Sequence, residues 1–484
     1  MMKHLLLSLC CLGASLAPQA YAHGEHDHDE KPLTPPWQDA SSWPDRIVTT
    51  IPEAPQTSFA VTWRTDDDVS SAVAQIVEAT DAARFDAGAE IVLGETEALD
   101  LVDVPIAQEI WKADWNEGLA PVHYHSVIFR DLKPDTVYAY RVRGGEGNWS
   151  EWFQIRTAAE DGPVKFIYVG DAQNGVLSHW SRLIRAAYSA APDSRFILHA
   201  GDLVNNGARD IEWASWFKAV GFIHGMLPAI PVAGNHEYRR YKLNGEESDR
   251  LLSMMWRPQF TLPEAPGLPD DLQEAAYDIR YSDDIHIFIL STQNEKIQAQ
   301  ADWLDEQLAR SDAKWKILSM HHPIFSSGSD RDTPELRDVL LPVIQKHKVD
   351  LVLQGHDHTY ARGAMSQTPE RISYTDAGGD VDIMFVNSVS GPKQYDFKDT
   401  GWDDYADTGV QLQRKAENTQ FFQIITIDGD TLTYEARTAL NNLYDDFVMT
   451  KSEDGNKTIT RGAQSTMDER MFDSSEPYVK GGLD

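Results

Sequence analysis

Cysteine is nearly absent: the chain has two, Cys10 and Cys11, both close to its start. A disulfide scaffold and thiolate metal ligands are therefore excluded from the remainder, and any metal site must use oxygen and imidazole donors. Long apolar runs are also absent beyond the start. The exception, at 5–17, follows Lys3 and His4 and closes on Ala20, Tyr21 and Ala22. It is too short to span a bilayer and ends in a small-x-small pattern, so residues 1–22 are expected to be a signal peptide cut after Ala22. The mature protein is then expected in the bacterial periplasm or exterior, with no membrane span. Basic residues are the third scarcity, with 43 Lys and Arg against 76 Asp and Glu and a net charge of −33. Nucleic acid, which is bound through clustered cations, is not expected as a partner. A small anion would be repelled at long range unless its site held concentrated positive charge, such as metal ions.

What is present is an ordinary globular composition, 42% hydrophobic and 25% charged over 484 residues, enough for two or three domains. Residues 23–43 are His-rich (His23, His26, His28) and then Pro-rich. Such a tract can capture metal, but without a partner structure it reads as a disordered segment. From 44 to 160 short alternating runs around Trp63, Val127 and Tyr140 predict strands. A Trp on an early strand and Tyr138 just after the Leu132 to Pro134 turn have the arrangement of a fibronectin type III sandwich, with an insertion expected near 66–120. From 164 to 440 strand-like runs alternate with helical segments, which predicts a layered α/β domain. Residues 441–484 are polar and acidic and read as a C-terminal extension.

In the second domain an apolar run leads five times to a metal-competent residue. The runs at 165–169, 195–198, 229–232, 315–318 and 350–353 lead to Asp171, to Asp202, to Asn235 and His236, to His321 and His322, and to His356 and His358. Ligands gather beyond the carboxyl ends of strands in such sheets, so residues far apart in sequence can converge. The steps from Asp171 to Asp202 and from Asp202 to Asn235, 31 and 33 positions, each match one βαβ unit. Glycine precedes the ligand at Gly170, Gly201, Gly234 and Gly355, as a tight turn would require. The donor set suits Zn, Mn or Fe, and a mid-constellation carboxylate, Asp202, is the natural bridge of a two-metal centre.

With these five motifs in order behind a fibronectin-like domain, the sequence resembles the calcineurin-like metallophosphoesterases, in their purple acid phosphatase branch. The resemblance implies two metal ions, divalent or trivalent Fe, Zn or Mn: Asp171, Asp202 and His358 at the first, Asp202, Asn235, His321 and His356 at the second. It implies hydrolysis of a small phosphomonoester by a metal-bound hydroxide, with Asn235 holding phosphoryl oxygens and His236 assisting the leaving group. A phosphodiester is the alternative substrate, and a non-catalytic metal-binding surface protein the alternative from another class. Two positions depart from the family. Asn205 stands where the purple enzymes have a tyrosine, and Gln173 where most other relatives have a histidine, leaving the first metal one ligand short unless either amide coordinates. His322 is expected to support a ligand or to pack. Arg331, about where plant relatives carry a histidine pair, is a candidate phosphate contact.

Overall fold

Alternation in the first domain becomes two packed sheets. In the computed structural model, which describes residues 35–101, 116–243, 246–329, 331–366, 379–461 and 467–471, strands Asp45–Thr50, Phe59–Asp66, Glu95–Leu99 and Val122–Phe129 form one layer. Strands Val73–Glu78, Glu90–Leu93, Val137–Val142 and Phe153–Arg156 form the other. Phe59, Val61, Trp63, Ile76, Val127 and Tyr140 share the core between them. The Trp63 indole donates to the Arg143 carbonyl at 3.0 Å, and the Tyr138 hydroxyl accepts from the Lys133 amide at 2.9 Å, closing a tyrosine corner. The stretch expected to hold an insertion instead supplies three strands before residue 101, and 102–115 lie outside the described residues. So do the expected signal peptide and the His-rich tract. Among the described residues no helix is long and apolar enough to cross a membrane.

The second face of Phe59–Asp66 is covered rather than solvated, so its polar alternates are buried too. Thr62 meets Thr261 hydroxyl to hydroxyl at 3.1 Å, and Arg64 grips Asp45 through two hydrogen bonds. Beside them Arg46 pairs in two-pronged fashion with Asp210, at 2.7 and 2.9 Å, both side chains buried where the first domain meets the helix Asp210–Val220. Burial pushes the Asp210 carboxyl up, but Arg46, with Arg64 behind it, outweighs burial and holds it below its ordinary value. Asp210→Ala leaves a buried guanidinium unpaired and is expected to cost about 3–5 kcal/mol in urea unfolding at neutral pH. Because the carboxyl is depressed in the folded state, the pair's contribution is complete above the unfolded value of about 3.9 and is lost as pH falls through the folded one. The gap between variant and parent should therefore narrow in acid.

The α/β domain places two sheets face to face with helices outside. In one, Val164–Val169, Ile197–His199 and Ala229–Pro231 run parallel, and the last of these touches the first domain through Thr50. The other has seven strands, ordered Tyr277–Arg280, Ile285–Leu290, Trp315–Met320, Leu351–Gln354, Ile383–Asn387, Tyr360–Met365, Val410–Ala416. Its apolar runs are continuous because both faces are covered. Ile287, Ile289, Ile317 and Leu353 belong to the core between the sheets, whereas Phe288, Leu290, Leu318 and Val352 pack under helices Ile297–Arg310 and Pro334–Lys346.

The first sheet does not stop at 440. Phe421–Asp428 pairs with Val164–Val169, and Thr431–Thr438, Leu443–Lys451 and Lys457–Arg461 follow as antiparallel neighbours. The residues read as a polar extension are thus in part strands of this domain. Their polarity misled because it is buried in pairs: Asp445 with Arg362, and Lys451 and Lys457 with Asp350 at 2.8 Å each.

Candidate metal centre

Each of the five parallel strands ends just before an expected ligand, and the sheets' edges meet there. Asp171, Asp202, His356 and His358 all have left-handed backbone, with φ of 46°, 50°, 75° and 53°. Such conformations cost about 1–3 kcal/mol for a non-glycine residue and persist where function over-determines them. Each turns its side chain out of the strand direction into a common space. Of the four glycines before the ligands Gly201 turns, with φ of 88°, and the others keep that space open by close approach: a Cβ on Gly234 would lie 2.3 Å from Asp202 Oδ1, and one on Gly355 2.3 Å from Asp171 Oδ2.

Ligand atoms form two groups that share one carboxylate, Asp202 with His321 and His356, and Asp171 and Asp202 with His358. In the first group His321 Nε2 is 3.2 Å from Asp202 Oδ2 and 3.2 Å from Asn235 Oδ1, and His356 Nδ1 is 2.9 Å from the same Asn235 oxygen. In the second, His358 Nε2 lies 3.5 Å from Asp171 Oδ1. That Asp171 oxygen is buried and has no hydrogen-bond partner. A buried, orphaned carboxylate oxygen facing an imidazole lone pair is what a cation would satisfy, so the residues present fit a metal pair.

Supporting contacts fix the tautomers. His321 donates from Nδ1 to the Ala200 carbonyl at 2.9 Å and His358 from Nδ1 to the Lys393 carbonyl at 2.9 Å, which turns both Nε2 atoms inward. Burial holds His356 and His358 well below the ordinary histidine value, in the neutral form that ligation needs. Burial lowers His321 as well, but Asp202 outweighs it and raises His321 to about 9. Burial raises Asp171 to about 7; it pushes Asp202 up as well, but the charge of His321 outweighs it and holds that carboxyl well below its ordinary value. Glu237 accepts from the amides of Asp202, Gly234 and Val204 at 3.0, 2.7 and 3.3 Å and so pins the shared ligand's backbone. Asp357 does the same for the 326–328 turn, accepting from the Ser326 hydroxyl at 2.8 Å and the Gly328 amide at 3.0 Å.

His236 donates from Nδ1 to the Asn205 carbonyl at 2.5 Å, and its Nε2 stands 3.8 Å from Asp202 Oδ2; burial lowers its pKa to about 4. Asn205 meets the centre through that carbonyl. Gln173 does so through its side chain, with Nε2 2.7 Å from Asp202 Oδ2 and 3.0 Å from His358 Nε2. His322 lies behind the ligands, its ring 4.2 Å from that of His356 and its Nδ1 2.9 Å from the Thr292 hydroxyl. Arg331 reaches His356 Nε2 and lines, with His356, Asp332 and Thr333, a cavity of about 330 Å³. Lys393 and Tyr395, beside Gln173 and His358, were not anticipated. The same sign, an apolar run at 383–386 followed by Gly391, could have indicated them.

Fold and site together define a β-sandwich followed by a layered α/β domain with donors for two metals at its strand ends. Comparison with known proteins identifies both domains. Residues 164–360 match the calcineurin-like phosphoesterase domain and 44–157 the purple acid phosphatase N-terminal domain. A probable purple acid phosphatase 20 of Arabidopsis thaliana is 27% identical over 250 residues, 49% of this chain and 55% of that protein. A phosphoenolpyruvate phosphatase of Allium cepa is 28% identical over 255 residues, 50% of each. The chain thus aligns with about half the length of these curated relatives. A purple acid phosphatase from seeds of yellow lupin, Lupinus luteus, superposes with a TM-score of 0.66 at 17% identity, covering 85% of this chain and 75% of that one. The chain thus carries a calcineurin-like phosphoesterase domain behind a purple acid phosphatase N-terminal domain, and its fold is that of the lupin enzyme.

Proposed function

We propose that this protein hydrolyses small phosphomonoesters at a two-metal centre, Asp171, Asp202 and His358 holding one ion and Asp202, Asn235, His321 and His356 the other. The observation that carries the reading is the sharing of Asp202, itself buried, between two donor groups. Bound cations supply Lewis-acid charge for the phosphoryl oxygens and acidify a coordinated water. The chain's own residues do the rest. Asn235 sets an amide at the second half, and His236, its Nδ1 held by Asn205, keeps Nε2 as the atom that moves a proton to or from the leaving oxygen. Export to the periplasm or exterior belongs to the same reading, supported by the Lys3, apolar run and Ala20-to-Ala22 pattern.

The test is phosphate release from monoesters, diesters and nucleotides by metal-stripped protein restored with Zn, Mn or Fe. Turnover of monoesters above the others is expected. Two bound metals without turnover of any substrate would instead mark a storage protein.

A second expected result is the absence of purple colour in iron-loaded, air-oxidised protein. Tyr168 is engaged with the Gln354 backbone and Tyr238 with the Ser291 hydroxyl at 2.6 Å, and Tyr395 sets its ring edge-on to His358 with Lys393 and Arg331 over it. Asn205 has no anionic oxygen for a charge-transfer band. An intense visible band would show that the first half has been misread.

A further inference from the structure

The loop after strand Ile383–Asn387 wraps the Asp171 half of the centre. Besides the bond from His358 Nδ1 to the Lys393 carbonyl, the Tyr395 amide donates to the His358 carbonyl at 3.2 Å, and the two rings meet edge-on with centroids 4.9 Å apart. Tyr395 also carries two cations. The Lys393 ammonium is 5.6 Å from its ring centroid and the Arg331 guanidinium carbon 5.1 Å, both within cation–π reach. One ring therefore sets a cation at each half: Lys393 donates to Gln173 Oε1 at 3.4 Å on the Asp171 side, and Arg331 abuts His356 on the other.

The two cations differ in their partners. Arg331 has the Asp357 carboxylate at 3.4 Å. Lys393, half-buried, has no carboxylate within 4.0 Å among the described residues, in a chain of net charge −33. Lys133, Lys165, Lys296 and Lys346 are all ion-paired. A partly desolvated ammonium without a counter-ion is unfavourable unless an anion completes it. The ammonium faces the centre, because Gln173, which it contacts at 3.4 Å, itself touches Asp202 Oδ2 at 2.7 Å and His358 Nε2 at 3.0 Å.

We propose that Lys393 grips a phosphoryl oxygen of the substrate at the Asp171–His358 half, positioned by the ring of Tyr395. This rests on the phosphohydrolase reading above. It gives that half a positive side chain for the substrate where Gln173 and Asn205 offer only neutral amides.

Calorimetric titration of inorganic phosphate into the metal-loaded full chain reads the contact without turnover. Lys393→Met is expected to weaken phosphate binding roughly 10–100-fold, with metal content unchanged and KM for a monoester raised more than kcat is lowered. Lys393→Gln should behave alike, and Lys393→Arg should restore most of the affinity. Unchanged phosphate affinity at full metal content overturns the proposal. So does a weakening fully explained by lost metal, since Lys393 would then serve His358 and not the substrate. If phosphate binds through Lys393 yet no phosphomonoester is hydrolysed, the functional reading fails while the Lys393 contact stands.

Discussion

Asp202→Ala is expected to abolish phosphate release and to empty both halves of the centre. Among the described residues Asp202 is the side chain common to both donor groups, and its two oxygens divide the work: Oδ1 accepts from the His236 amide at 2.9 Å, and Oδ2 faces His321 and Gln173. Without the carboxylate, two cations would face each other with no shared anion, and His321 would lose the charge that Asp202 supplies. The metals' contribution to stabilising transition-state charge is several kcal/mol, so the rate should fall by roughly 10³–10⁵-fold. Metal analysis of the purified variant decides the reason. Fewer than one ion per chain fits a bridge, whereas two retained ions with lost activity would refute it. Asp202→Asn is the milder control, keeping shape and the His236 contact while removing charge.

His236→Ala should slow turnover by roughly 10²–10⁴-fold while leaving both metals in place. The ring's Nδ1 is committed to the Asn205 carbonyl and its Nε2 is nearly 4 Å from Asp202, the geometry of a proton carrier and not of a ligand. Burial lowers the imidazole to about 4, so its charged form is populated only in acid until a phosphate dianion arrives beside it and favours the proton. The loss should therefore be largest for substrates with poor leaving groups, which need that proton, and should shrink for nitrophenyl-type esters. An equal loss across leaving groups would assign His236 to electrostatic positioning instead. Since a neutral His236 cannot donate, the parent's kcat for poor leaving groups should also fall as pH rises through the substrate-bound value, and the variant's should not.

Much of the site was legible because strand ends leave a local signature. A run of β-branched and aromatic residues that stops at a glycine and a polar donor needs no partner to be recognised, and in an α/β sheet such ends share one edge. That is how Asp171, Asp202, Asn235, His321, His356 and His358 could be picked out in order. The same locality hid the rest. Lys393 and Tyr395 lie one strand later and carry no metal-ligand chemistry, so the run at 383–386 and Gly391 point to their loop while only their packing on His358 shows their place. Residues 443–461 look like a polar extension because composition counts Asp445, Lys451 and Lys457 as polar without seeing the buried charges opposite them.

By itself, then, the sequence determined the strand and helix periodicities, the exclusion of thiolate and disulfide chemistry, the order of the donors and the two neutral departures at Gln173 and Asn205. These depend on residue identity and short-range spacing. Tertiary structure alone decided that Asp202 is shared, that four candidate ligands adopt left-handed backbone, that Gly234 and Gly355 serve close approach, and that an aromatic ring sets a cation at each half. Those are relations between residues up to about two hundred positions apart, and the physical reason they escape the sequence is that the sheets fix which strand ends meet, after which sub-ångström fit and burial select the charge each group carries.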